Sequence, residues 1–134
     1  MSGEDVGVAD TSVMIALESG RPLDSSRMPD SLVTTIVTRA ELELGVLAAP
    51  DAGTGARRLA TLDQLSTMTI LPATTEAAHA WARLRVHLRE RGTRMEANDL
   101  WIAAIATANE LPVVTQDADF DALEGVPGVT VIRV

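Results

Sequence analysis

Residues 6–12, VGVADTS, decide how this chain is read: an apolar run from Val6 to Ala9 stops at a carboxylate, Asp10, and two hydroxyl residues follow. A short apolar run of this kind, followed by a helical pattern, reads as a buried strand of a parallel sheet. Asp10 then stands at the strand end, where an aspartate either caps the next helix or faces a cation. Which of the two applies depends on what else reaches the same place.

Outward from this stretch, the chain alternates strands and helices. Ser12 to Ser19 reads as a helix stopped by Gly20, and a loop with Pro22 and Pro29 follows. LVTTIV, residues 32–37, is β-branched and predicts a second strand, with Thr38 opening a helix from Arg39 to about Ala48. Ala52 to Gly55 reads as a linker, Ala56 to Leu65 as a short amphipathic helix and Met68 to Leu71 as a third strand. From Glu76 to Arg91 an apolar stripe of Ala77, Trp81, Leu84 and Leu88 marks a helix. The segment Asn98–Asn109 is apolar all round after Asp99, which predicts a helix buried on most sides. Pro112–Thr115 is a fourth strand, Asp119–Leu123 a helical turn and Val129–Val134 a fifth strand. Such alternation predicts an α/β fold, a parallel sheet covered on both faces with right-handed crossovers.

That topology constrains the acids. Parallel strands all end at one sheet edge, and the helices that follow them start there. Asp10 follows the first strand, Glu41 lies in the first turn after the second, Asp99 opens the helix before the fourth, and Asp117 follows the fourth. Each has a structural explanation when taken alone. Asp10 fits a helix cap, Glu41 a capping box with Thr38, Asp99 a first-turn acid beside an Asn98 cap, and Asp117 a turn. Together they repel, by about 4 kcal/mol for two charges about 4 Å apart at an effective dielectric near 20, unless a cation or protons intervene. All-oxygen donors favour Mg²⁺ or Mn²⁺. Gly45, one turn after Glu41, would leave that carboxylate room.

Composition removes alternatives. At 134 residues the chain has the length of a single domain, 1–134, able to bury a core without staples. It contains no cysteine, which excludes disulfides and thiol chemistry, and no lysine, every basic side chain being Arg or His. The missing lysine argues against receiver domains and haloacid-dehalogenase-like phosphatases. The longest charge-free apolar stretch is far short of the ~20 residues of a membrane span, and no apolar leader opens the sequence, so a cytoplasmic protein is expected. A net charge of −8 opposes nucleic-acid binding, unless bound cations neutralise the clustered acids.

VADTS with Asp10, TRAELELG with Glu41, NDLWIAAIA with Asp99 and VVTQDADF with Asp117 occur in the order found in the PIN-domain family. The whole chain resembles in particular the VapC-type toxins of bacterial toxin–antitoxin pairs. The resemblance implies a three-layer sandwich around a five-stranded parallel sheet of order 3-2-1-4-5. It also implies a Mg²⁺- or Mn²⁺-dependent endoribonuclease leaving 5′-phosphate and 3′-hydroxyl ends. In that scheme Asp10, Asp99 and Asp117 hold one ion, and Glu41 with Asp99 serves a second ion or the attacking water. Asp119 can share or replace the role of Asp117, and Thr115 and Ser12 support the site. Arg85, Arg89, Arg91 and Arg94 are candidate RNA contacts, whereas His79 and His87 read as a solvated helix face.

The same resemblance implies a homodimer, an RNA substrate such as tRNA or rRNA, and a VapB-type antitoxin that carries the complex to DNA. Met14, Leu17 and Leu47 are candidates for the groove receiving the antitoxin. A non-catalytic PIN-like binding module is the alternative, and metal-dependent RNA cleavage separates the two.

Overall fold

The computed structural model describes residues 5–134. Its sheet contains β1 (Val6–Ala9), β2 (Ser31–Thr35), β3 (Ile70–Leu71), β4 (Val113–Thr115) and β5 (Val131–Arg133), all parallel, in the order β3-β2-β1-β4-β5. Helices α1 (Thr11–Ser19), α2 (Ile36–Leu47), α3 (Ala52–Gln64), α4 (Thr75–Glu90) and α5 (Ala97–Ala108) cover it.

Strand alternation sends neighbouring residues to opposite faces. Val8 and Val113 pack with Leu84 and Leu88 of α4, Ile102 and Ala106 of α5, and Phe120. Ala9 and Val114 pack on the other side with Val13 and Met14 of α1, Leu42 of α2 and Leu65 after α3. The result is a three-layer sandwich whose central strands, β1 and β4, are walled on both faces. Helix α5 is the most deeply placed: Ile102 to Ala106 are fully buried, as its all-round apolar sequence predicts.

Several boundaries differ from the sequence reading, each for a local reason. Helix α2 starts at Ile36 because the Thr35 hydroxyl caps it, accepting from Thr38 N at 3.2 Å; Ile36 and Val37 are thus helical despite their β-branching. Thr38 is therefore buried inside the helix and forms no capping box with Glu41. The expected linker 52–55 is the first turn of α3, nucleated by Asp51, whose carboxylate accepts from Thr54 N at 2.7 Å. Glu96, not Asn98, caps α5, its Oε2 accepting from Asn98 N and Asp99 N. Strands β3 and β5 are shorter than expected and lie at the sheet edges, where only one side of the ladder is paired.

Helices α1 and α2 start directly after the C-terminal ends of β1 and β2, as the sequence reading requires. A loop of six residues joins α4 to α5, and Trp81 stacks on Trp101 with ring centroids 5.5 Å apart, so the two helices form an antiparallel hairpin. The end of α4 is thereby held close to the start of α5, where Asp99 lies. Met14 is 2% exposed and packs in the core, yet it lines the floor of an open cavity of about 490 Å³ together with Leu17 and Met28; Leu17 and Leu47 are 51% and 86% exposed. Among the described residues no helix is long and apolar enough to cross a membrane.

Candidate active site

Asp10 is where β1 becomes α1. Its extended backbone ends the strand, and its Oδ1 accepts from Val13 N at 3.2 Å, capping the helix. Oδ1 also accepts from the Ser12 hydroxyl at 2.7 Å, and Oδ2 accepts from the Thr115 hydroxyl at 2.6 Å. A carboxylate offers about four acceptor positions, so three are filled and one is left. Burial raises the Asp10 pKa, opposed by these hydrogen bonds and assisted by the charge of Asp117.

The same two hydroxyls lock the end of β4 to the start of α1. Thr115 Oγ1 accepts from Asp117 N at 2.8 Å, and Ser12 Oγ accepts from Gln116 N at 2.9 Å. A hydroxyl has one proton, and Thr115 spends its proton on Asp10. Its place is thus to fix Asp10 and Asp117 relative to one another. Asp117 in turn caps the 3-10 turn Ala118–Leu123, its Oδ1 accepting from Asp119 N at 2.9 Å, which folds Asp119 back towards it.

Asp99 arrives from the first turn of α5. Its carboxylate oxygen and those of Asp117 and Asp119 lie within 4.8 Å of one another, a spacing that one cation can span. Half-buried, Asp99 has its pKa pushed up to about 7, first by desolvation and then by the charges of Asp117, Glu96, Asp10 and Glu41. Asp10 and Glu41 stand outside the tight three-acid set, yet their charges are felt at Asp99. Asp119, read from sequence as able to share or replace the role of Asp117, lies beside it in this set.

Glu41 is held from a different direction. Thr11 donates to its Oε1 at 2.6 Å and lies 3.2 Å from the hydroxyl of Thr38, one turn earlier on α2. Arg58 of α3 donates to the Gly45 carbonyl at 2.8 Å, and a Cβ at Gly45 would meet the Arg58 Cδ at an ordinary 3.7 Å. Glu41, Thr11, Gly45 and Arg58 line a cavity of about 260 Å³.

The α4 arginines are less central. Arg91 donates to the carbonyls of Ala122 and Glu124, pinning the α4–α5 loop to the turn after β4. Arg89 and Arg94 are exposed and Arg85 is half-buried, and His79 and His87 lie outside the acidic set. Sequence reasoning missed Thr11, Thr38, Arg21, Gln116 and Arg133. Thr11 was detectable as the third residue of the ADTS turn; the others carry no local signal.

Five parallel strands with carboxylates gathered where β1 and β4 end side by side define an α/β protein with an oxygen-only, divalent-cation type of centre at its topological switch point. The chain belongs to the PIN-domain family: the model of that family, "PIN domain", matches residues 8–126. It is 56% identical over 128 residues to ribonuclease VapC5 of Mycobacterium tuberculosis, covering 96% of this chain and 95% of the relative. Ribonuclease VapC4 of the same organism is 38% identical over 92% of this chain and 95% of its own. Among solved structures, a member of the VapBC family of toxin–antitoxin systems, VapBC-5 of M. tuberculosis, matches with a TM-score of 0.91 and 53% identity, covering 96% and 98% of the two chains. VapBC2 of Rickettsia felis, solved bound to a fragment of its promoter DNA, shares the fold at 20% identity, with a TM-score of 0.79 and coverage of 96% and 98%.

Proposed function

We propose that this chain is the toxin of a toxin–antitoxin pair, a Mg²⁺- or Mn²⁺-dependent endoribonuclease whose products carry 5′-phosphate and 3′-hydroxyl ends. The observation that carries this reading is the convergence of Asp99, Asp117 and Asp119 within 4.8 Å, with Asp99 held near neutrality. Its relatives carry the name ribonuclease VapC. The donor set fits a hard cation: it is all carboxylate, and the one acid with a pKa of about 7 can release its proton when positive charge arrives.

Asp99 and Asp117 would hold the ion, Asp119 would complete the cluster, and Asp10 would offer its remaining acceptor position. When bound, such an ion lowers the pKa of water and neutralises charge on a phosphodiester. Asp10 and Thr115 keep the two central strand ends in register, so Asp117 does not drift from Asp99. Glu41, its Oε1 fixed by Thr11, retains Oε2 to take a hydrogen bond from the attacking water or to serve a second ion.

The whole chain acts as one PIN-like domain in the cytoplasm, as a homodimer, with RNA as substrate and a VapB-type antitoxin as partner; DNA is reached only through that partner. Leu17, Leu44 and Leu47, each more than half exposed, suit an apolar antitoxin helix. The test is induction in cells, with 5′ ends of cellular RNA mapped beside an Asp10→Asn control. New 5′-phosphate ends at defined sites, absent from the control, support the proposal, and an unchanged map rejects it.

A further inference from the structure

The acidic centre has a second wall that the sequence did not reveal. A cavity of about 600 Å³ opens beside it, lined by Ser12, Arg21, Gln116, Asp117 and Arg133 among others. Two guanidinium groups therefore border the same space as an acid of the centre, although they lie 112 positions apart in a chain of net charge −8.

Both are held in place. Arg21 follows the left-handed Gly20 that ends α1. Its Nε donates to Gln116 Oε1 at 2.7 Å and its Nη2 to the Ser12 carbonyl at 3.3 Å. Gln116 is anchored through its Nε2, which donates to the carbonyls of Pro22 and Val134. Arg133, at the end of β5, donates through Nη1 to both oxygens of Asp121, at 3.1 and 3.3 Å. Its Nε is buried without any partner. The rest of the Arg133 side chain is 40% exposed, so its Nη2 is the edge that a ligand in the cavity can reach. Arg21 Nη1 also has no hydrogen-bond partner among the described residues.

We propose that Arg21 and Arg133 form a clamp for one backbone phosphate of the RNA next to the phosphate being cut. This rests on the ribonuclease reading above. A phosphodiester entering a cluster of carboxylates meets repulsion, and guanidinium groups held beside the cluster offset it, Arg21 offering Nη1 and Arg133 offering Nη2 to phosphate oxygens. Gln116 serves as a positioning residue: it reads no base, but its amide fixes the angle of the Arg21 fork. The clamp orients the strand across the ends of β4 and β5, so that the neighbouring linkage lies over Asp117.

The experiment compares wild type with Arg21→Gln, Arg133→Gln, the double variant, and Arg21→Lys, each checked for folding by circular dichroism. Arg57→Gln, on the exposed side of α3, controls for loss of one charge. Affinity for a single-stranded RNA is measured against salt with the Asp99→Asn change added to block cleavage, and kcat and KM are measured without it. The clamp predicts KM raised about 10-fold in the double variant with kcat within about 3-fold, and a salt slope reduced by about 0.7 for each guanidinium withdrawn from the phosphate. Arg21→Lys, which keeps charge but loses the fork, should recover the slope but only part of the KM. An unchanged slope and KM in a folded, active double variant overturns the clamp, as does a loss confined to kcat. Weaker antitoxin binding with intact RNA parameters also overturns it, assigning the wall to the protein partner. Failure of the ribonuclease reading itself looks different: wild type then cuts no RNA.

Discussion

At the scale of single residues, the chemistry rests on a proton and two hydroxyls. Asp99 has a folded pKa of about 7 against an ordinary value of 3.8. A carboxyl whose pKa is raised by folding binds protons more tightly in the native state, so stability falls as pH rises from about 4 towards 7 and is level above. Metal-free protein should show this slope in denaturant melts, and Asp99→Asn should remove most of it. Adding Mg²⁺ or Mn²⁺ at pH 6–7 should release protons detectable by buffer-dependent calorimetry; a binding enthalpy independent of the buffer would count against Asp99 as a ligand. Thr115→Val keeps the shape but deletes the donor to Asp10 and the acceptor for Asp117 N. Activity should drop about 10–100-fold, as for other groups that orient ligands, with stability lowered by about 1–3 kcal/mol; wild-type turnover in this variant would remove Thr115 from the account. The four acids were legible from sequence because the β-α rhythm alone sends Asp10, Glu41, Asp99 and Asp117 to one edge. The hydroxyls that hold them were less so: Thr115 was placed at the site only by resemblance, since nothing local says that its proton goes to Asp10.

At the scale of elements, close approach decides more than propensity. Gly7 lies in the middle of β1, and a Cβ there would meet Val114 Cγ2 at 2.6 Å and Pro29 Cγ at 2.8 Å. Gly7→Ala must push β4 or the loop before β2 aside, which costs roughly 1–3 kcal/mol by overpacking. Urea melts should shift accordingly; a neutral or stabilising result would contradict the packing around β1. Because β1 leads into Asp10 and β4 ends in Thr115, the same substitution should weaken metal binding, although neither group is touched. Helix identities were readable from apolar spacing, and the buried α5 from its sequence alone. The caps were not. Thr38 and Asn98 are the residue types expected at helix starts, but the helices begin two and one residues earlier, at Ile36 and Ala97, because Thr35 and Glu96 reach the free N–H groups. The packing of α4 on α5 was also hidden, since it shows in the stacking of Trp81 on Trp101, which no local pattern announces.

At the scale of the whole molecule, an acidic protein is fitted to a polyanionic substrate by the uneven placement of its charge. Asp99, Asp117 and Asp119 concentrate negative potential where a cation neutralises it, and Arg21 and Arg133 border the adjoining cavity. Net charge alone pointed the wrong way, because it averages over these two regions. The strand order 3-2-1-4-5 came from resemblance to the PIN-domain family, and the register of β1 with β4 explains why it matters: Ala9 faces Val114, so the residues that follow them meet. Arg21 joins Gln116 across 95 positions, a pairing that only this closure creates and no motif announces. The central claim is that the converging acids act through a divalent cation on RNA. The most direct measurement is cleavage of a defined RNA by purified protein, with the product ends identified, in Mg²⁺ or Mn²⁺, after EDTA, and with Asp99→Asn. The account predicts 5′-phosphate and 3′-hydroxyl ends that depend on the metal, and a loss of at least about 100-fold in the variant. Cleavage that survives EDTA, or that leaves 2′,3′-cyclic phosphates, would contradict it.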